Sequence, residues 1–193
     1  VVLVAMTLAA IALTRTVYTS NMVAGNLAFQ QAATHSADAG VEAAVAWLEN
    51  NNGQATSSSA STCTSGSSVL ACPQTAWGYS ATRQDPGTGE SWSTFWDQIV
   101  TPNGMARTLS ADAAGNTVAY VIQRMCSIAG DSQLTNNDCA VAPGATAGTC
   151  SGGSSCDAQR VNLNSVSQVY YRITVRVAGP RNTVSFVQSI VAL

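Results

Sequence analysis

The sequence predicts an α+β fold: a long N-terminal α-helix packed against an antiparallel β-sheet head with disulfide-stapled loops. Three features carry that expectation. An apolar run at the N-terminus passes into an amphipathic helical pattern, the last part of the chain alternates with a two-residue period, and six cysteines fall in the loop-like stretch between them. At 193 residues there is room for one full domain with an appendage. The chain therefore divides into a helix over 1–52, with its apolar part over 1–22 and its amphipathic part over 23–52, and a β-rich head over 53–193.

Val1 to Leu13 is unbroken apolar sequence apart from Thr7, and the first charge is Arg15. Such a run needs lipid or a dry protein interior, yet it is shorter than the roughly 20 residues of a bilayer span. Two explanations compete: the apolar region of a cleavable signal peptide, or a spanning helix whose first turns precede Val1. A signal peptide gives way to a small-residue cleavage site and then a mature domain, whereas here more helix follows. Val23, Leu27, Gln30, Thr34, Ala37, Val41, Ala44 and Leu48 step by four and three, and the apolar members form the predicted face toward the head. Gln31, His35, Asp38 and Glu42 fall on the opposite side, and Asn50 to Gly53 supply a left-handed stop.

The result is a predicted rod of about 75 Å at 1.5 Å per residue, too long for a compact head to cover. Its first part must be sheltered by lipid or by other chains. Ser20, Asn21, Gly25 and Asn26 have low helix propensity, so a kink or melted turn competes evenly with an uninterrupted helix, because one Gly costs only about 1 kcal/mol.

This segment resembles the start of type IV minor pilins of the PilX kind. The resemblance rests on the apolar run, Arg15, the Ala24-Gly25-Asn26 triplet ten residues on, and the Ala37-Asp38-Ala39-Gly40 step leading to Trp47. It covers about the first fifty residues well and the last twenty-five loosely. It implies the type IV pilin fold and a non-enzymatic structural subunit of an extracellular filament. It further implies a filament core made by Val1, Val2, Leu3, Val4, Met6, Leu8, Ile11 and Leu13. The implied partners are copies of this chain in a helical filament, other pilins, the bacterial inner membrane before assembly, and the pilus assembly machinery. A low-abundance tip subunit acting in assembly priming or adhesion is the alternative that the same family offers. Most major pilins carry a Glu at the fifth mature position, where this chain has Ala5, and no acid precedes Asp38. The family's apolar run is longer ahead of the Arg, so the resemblance implies a mature N-terminus upstream of Val1, with the prepilin cleavage site and room for a Glu beyond it.

Composition narrows the rest. Charged residues are only 9% of the chain, Lys is absent, and eight Arg stand against ten acids for a net charge of −2. No basic strip is available for a phosphate backbone, which excludes nucleic acid as the expected partner. Cys63, Cys72, Cys126, Cys139, Cys150 and Cys156 form an even set behind an apolar N-terminus, which reads as disulfides in an oxidising compartment. Zinc is disfavoured, since no Cys-x-x-Cys pair occurs and the single His lies in the long helix. Six cysteines allow 15 pairings; only a local loop closed by neighbours such as Cys63 and Cys72 is expected.

In the head, the Ser/Thr-rich stretch 53–68 reads as a surface loop. Trp92, Phe95, Trp96 and Ile99 recur at helical spacing and are expected to wedge a small core. Val169, Tyr171, Ile173, Val175 and Val177 alternate with polar residues, Ala178 to Asn182 is turn sequence, and Thr183 to Val191 returns as the partner strand. Thr117 to Met125 supplies a third strand, giving a sheet of three or four strands across the helix. Asp131, Asn136, Asn137 and Asp138 lack the alternating spacing of an EF-hand and read as turn formers. His35 and Asp38 are three apart on the long helix with no pocket implied. No nucleophile elbow or phosphate loop occurs, so no catalytic or cofactor-binding residue is expected.

Overall fold

The computed structural model describes residues 2–57, 60–64, 66–142 and 168–193, without the side chains of Leu8 and Arg181. Its first element, α1, is one continuous helix over Val2–Asn51. No melted turn interrupts it at Ser20 to Asn26, and nothing lies within 4 Å of where a Gly25 side chain would be. The small propensity cost of Gly25 is distributed over a helix already nucleated on both sides, so the ladder of hydrogen bonds carries through. The helix stops where Gly53 takes a φ of +68°.

Among the described residues five strands follow in one sheet: β1 (Tyr79–Ser80), β2 (Arg107–Thr108), β3 (Thr117–Arg124), β4 (Tyr170–Gly179) and β5 (Thr183–Ala192). The three long strands form an antiparallel meander β3-β4-β5, with Ile122 opposite Ile173 and Val175 opposite Val187. β1 and β2 lie end to end along the other edge of β3. β2 is antiparallel to it but β1 is parallel, which makes the sheet mixed rather than purely antiparallel. Gly78 makes the β1 contact possible: a side chain there would lie 2.8 Å from the Tyr120 carbonyl oxygen, and its φ of +70° is left-handed. At the β4–β5 turn, Pro180–Asn182 form a 3-10 turn and Asn182 supplies the left-handed residue at φ 62°.

Period-two alternation sorts the sheet into two faces. On one, Val118, Tyr120, Ile122, Tyr171, Ile173, Val175 and Val177 meet Ala33, Ala37, Ala44, Trp47 and Leu48 of α1. The other face is also covered. A single α turn, α2 (Trp92–Phe95), runs into a π turn over Trp96–Val100, and Phe95, Trp96 and Val100 pack on Ala119 and Val121. The expected helix is present, but its core residue is Val100 and Ile99 is 38% exposed. A π turn closes with an i→i+5 bond, here Thr101 N–H to the Trp96 carbonyl, and so advances the buried side by one residue. Because α2 lies over this face, Thr174 and Gln123 are buried where simple alternation predicts solvent.

Candidate functional site

The long helix has two environments. From Phe29 onward it is held by the head, and the side facing the sheet is built of small residues. Ala33, Ala37 and Ala44 are buried, and Gly40 lies so close that a Cβ would sit 2.8 Å from both Val118 Cγ1 and Val175 Cγ1. Leu48 closes the same stripe, and Val41 flanks it half-buried. Val23 and Leu27 do not join it: they are 62% and 55% exposed, because the head first reaches the helix at Phe29, which lies over Gly179. Gln30 and Thr34 are exposed as well. The true stripe runs Phe29, Ala33, Ala37, Gly40, Ala44, a register that the larger side chains of Val23 and Leu27 obscured.

Two clusters fix the helix to the head. The Ser36 hydroxyl donates to Asp112 Oδ2 at 2.6 Å, and the same carboxylate accepts from the Asn116 side-chain amide at 3.0 Å and from the backbone N–H groups of Asn116 and Ala114 at Oδ1. These donors, Ser36 foremost, hold the Asp112 carboxyl down to about 2. Farther along, Trp47 stacks on Trp77 at 6.5 Å and tilts against Tyr79 at 5.3 Å, with Arg107 over Trp77 at 4.7 Å. Burial pushes the Tyr79 phenol well above its usual range, and its O–H donates to the Leu70 carbonyl.

The second environment is the stem. Every described side chain from Val2 to Ala28 is exposed, over about 40 Å of helix at 1.5 Å per residue. Val2, Leu3, Val4, Met6, Ile11 and Leu13 are between 61% and 79% exposed. Val1 and the Leu8 side chain lie outside the described residues. An apolar surface of this length is not sustained in water by a solitary soluble protein. Its few polar groups suit dry surroundings: the Thr7, Thr14, Thr16 and Thr19 hydroxyls each donate to a carbonyl three or four residues earlier, at 2.9 Å in each case. α1 is long and apolar enough to cross a membrane, a property it shares with signal sequences.

Among the described residues the head carries two staples and an internally bonded turn. Cys63–Cys72 and Cys126–Cys139 are disulfides, while Cys150 and Cys156 lie outside the described residues. The acidic turn is consumed internally: Asp131 Oδ1 accepts from the Ser67 backbone and hydroxyl, and Asn137 bonds the Ile128 N–H and the Asp131 carbonyl. Two arginines that sequence reasoning passed over prove structural. Arg124, 3% exposed, donates to the carbonyls of Ala81, Ile128 and Gly130. Arg172 joins Asp85 at 2.5 Å, bonds the Gln84 carbonyl and lies over Trp92 at 5.1 Å, tying the loop before α2 to the sheet. Nothing in a one-dimensional pattern distinguishes these from surface arginines, since their partners are distant carbonyls.

His35 and Asp38 stand exposed on α1, and among the described residues no three His, Cys, Asp or Glu side chains gather as a metal set. Comparison with protein-family models, with curated proteins and with solved structures finds no match for this chain. The fold and the stem together define an α+β head carried on an apolar helical stalk.

Proposed function

We propose that this chain is a non-enzymatic structural subunit of an extracellular filament of the type IV pilus kind, with the stem in the filament core and the head outside. The stem is the observation that carries this reading: an apolar helix free of its own head, with its threonine hydroxyls already satisfied, suits burial first in lipid and then among other stems. The helix-on-sheet layout and the disulfide staples agree with the pilin resemblance of the first fifty residues. On this reading the subunit waits in the bacterial inner membrane, and assembly exchanges lipid around residues 1–13 for neighbouring stems.

Negative-stain imaging of sheared surface material tests it. Leu3→Asp or Leu8→Asp is expected to abolish fibres while heads still form their disulfides; normal fibres from either variant overturn the proposal. Antibody decoration along the whole fibre is the expected pattern, and decoration at the tip alone would assign the low-abundance priming or adhesive role instead.

A further inference from the structure

The charges of α1 are separated by side as well as by position. Arg15 is the sole charged residue before Asp38, and the helix then carries Asp38, Glu42 and Glu49, all exposed. Among the described residues none of the four makes an ion pair. At 100° per residue Glu42 falls about 180° round the helix axis from Arg15, with Asp38 and Glu49 about 140° and 160° from it. Arg15 itself falls within about 40° of Ala33, Ala37, Gly40 and Ala44, the side that carries the head. The acids therefore line the back of the helix, turned away from the head, and the lone cation lies on the front.

We infer that the stem docks a second copy of this chain in parallel, shifted by about 40 Å along the helix axis, with Glu42 of one copy against Arg15 of the next. This deepens the filament reading and rests on it. Three observations favour that occupant. Charge is complementary between front and back: the acidic back of one copy supplies the carboxylate that the Arg15 front of the other lacks. The surfaces at the two places are compatible: Ile11, Ala12, Thr16 and Thr19 surround Arg15 with mostly small side chains, and Val45 and Ala46 flank the acids. There is also room. With that shift the packed half of the second copy's helix comes level with roughly residues 2–24 of the first, all short of Phe29, where the first copy's own head begins. Its head then stands outward, on the far side of its helix. Front meeting back is a heterologous contact, which does not close on itself and propagates into an open fibre.

Charge reversal with rescue tests the pairing. Arg15→Glu and Glu42→Arg are each expected to cut fibre yield roughly tenfold or more, as opposed charges within a dry contact become like charges. The double variant is expected to recover most of the yield, with head disulfides intact throughout. In parallel, fibres of an Arg15→Cys/Glu42→Cys chain should oxidise to a ladder of covalent multimers that collapses on reduction. Fibres of unaltered yield from Arg15→Glu, or fibres that give no ladder, overturn the register and leave the filament reading standing. An unaltered chain that forms no fibres at all removes both.

Discussion

Gly40 of α1 rests against Val175 of β4 so closely that a single added methyl would sit 2.8 Å from Val175 Cγ1. The Val175 methyls fill the space a side chain at Gly40 would take, and Val118 Cγ1 closes the same contact from β3. Overpacking a filled site costs about 1–3 kcal/mol, against the ~1 kcal/mol that Ala gains over Gly in a helix. Gly40→Ala is thus expected to lower the stability of the head by up to about 2 kcal/mol. Gly25→Ala, with nothing within 4 Å, should instead stabilise the helix by up to about 1 kcal/mol. Urea unfolding of the two variants side by side checks the opposite signs.

Asp112 makes the attachment of α1 sensitive to acid. Its carboxyl titrates at about 2 in the folded protein, below its ordinary value of 3.8, chiefly because the Ser36 hydroxyl and then Asn116 bond the charged form. A lowered folded value means stabilisation that is complete above pH 4 or so and disappears as pH falls toward 2. Ser36→Ala should move the Asp112 titration upward and narrow the difference between neutral and acid melting temperatures. Carboxyl chemical shifts followed by NMR across this range provide the check, and an unmoved Asp112 titration in the variant would contradict the assignment.

Tyr79 sets the alkaline limit. Its phenol is raised by burial and by the neighbouring Tyr171, which is itself raised by burial. With the folded value above the unfolded one, the stabilisation is intact below about pH 10 and is lost as pH rises past it. Phenolate absorbance from Tyr79 and Tyr171 is expected only together with loss of β-sheet circular dichroism. Tyr79→Phe should separate the two events by removing the group that resists ionisation.

Arg124 donates to three carbonyls, those of Ala81, Ile128 and Gly130. Arg124→Leu keeps much of the volume but leaves buried acceptors unpaired, at roughly 1–3 kcal/mol for each one that water cannot reach. A loss of about 2–4 kcal/mol in denaturant unfolding is expected, with Arg124→Lys recovering part of it. A neutral Leu variant would show that these carbonyls are solvated after all.

Several features were legible in the chain itself. Thirteen residues with one hydroxyl among apolar side chains dictate a stem that must be hidden from water, and the strict alternation of Val169 to Val177 dictates a strand with two unlike faces. Both are local patterns, written in consecutive residues, and the long helix and the β3-β4-β5 meander follow from them. Even the Cys63–Cys72 loop was within reach, since its ends are neighbours in sequence.

What only the tertiary structure decided is where those elements meet. The head takes hold at Phe29 rather than Val23 because Gly179, far along the chain, offers the gap that the Phe29 ring covers. The parallel β1 contact, the π turn that chooses Val100 over Ile99, and the burial of Arg124 likewise depend on surfaces brought together from distant segments. The helix period states which side of a rod is apolar, but the length of rod that becomes covered is set by the size and placement of the sheet that folds back against it. That boundary leaves residues 2–28 bare, and the demand of that bare surface for company is the physical basis of the function proposed for this protein.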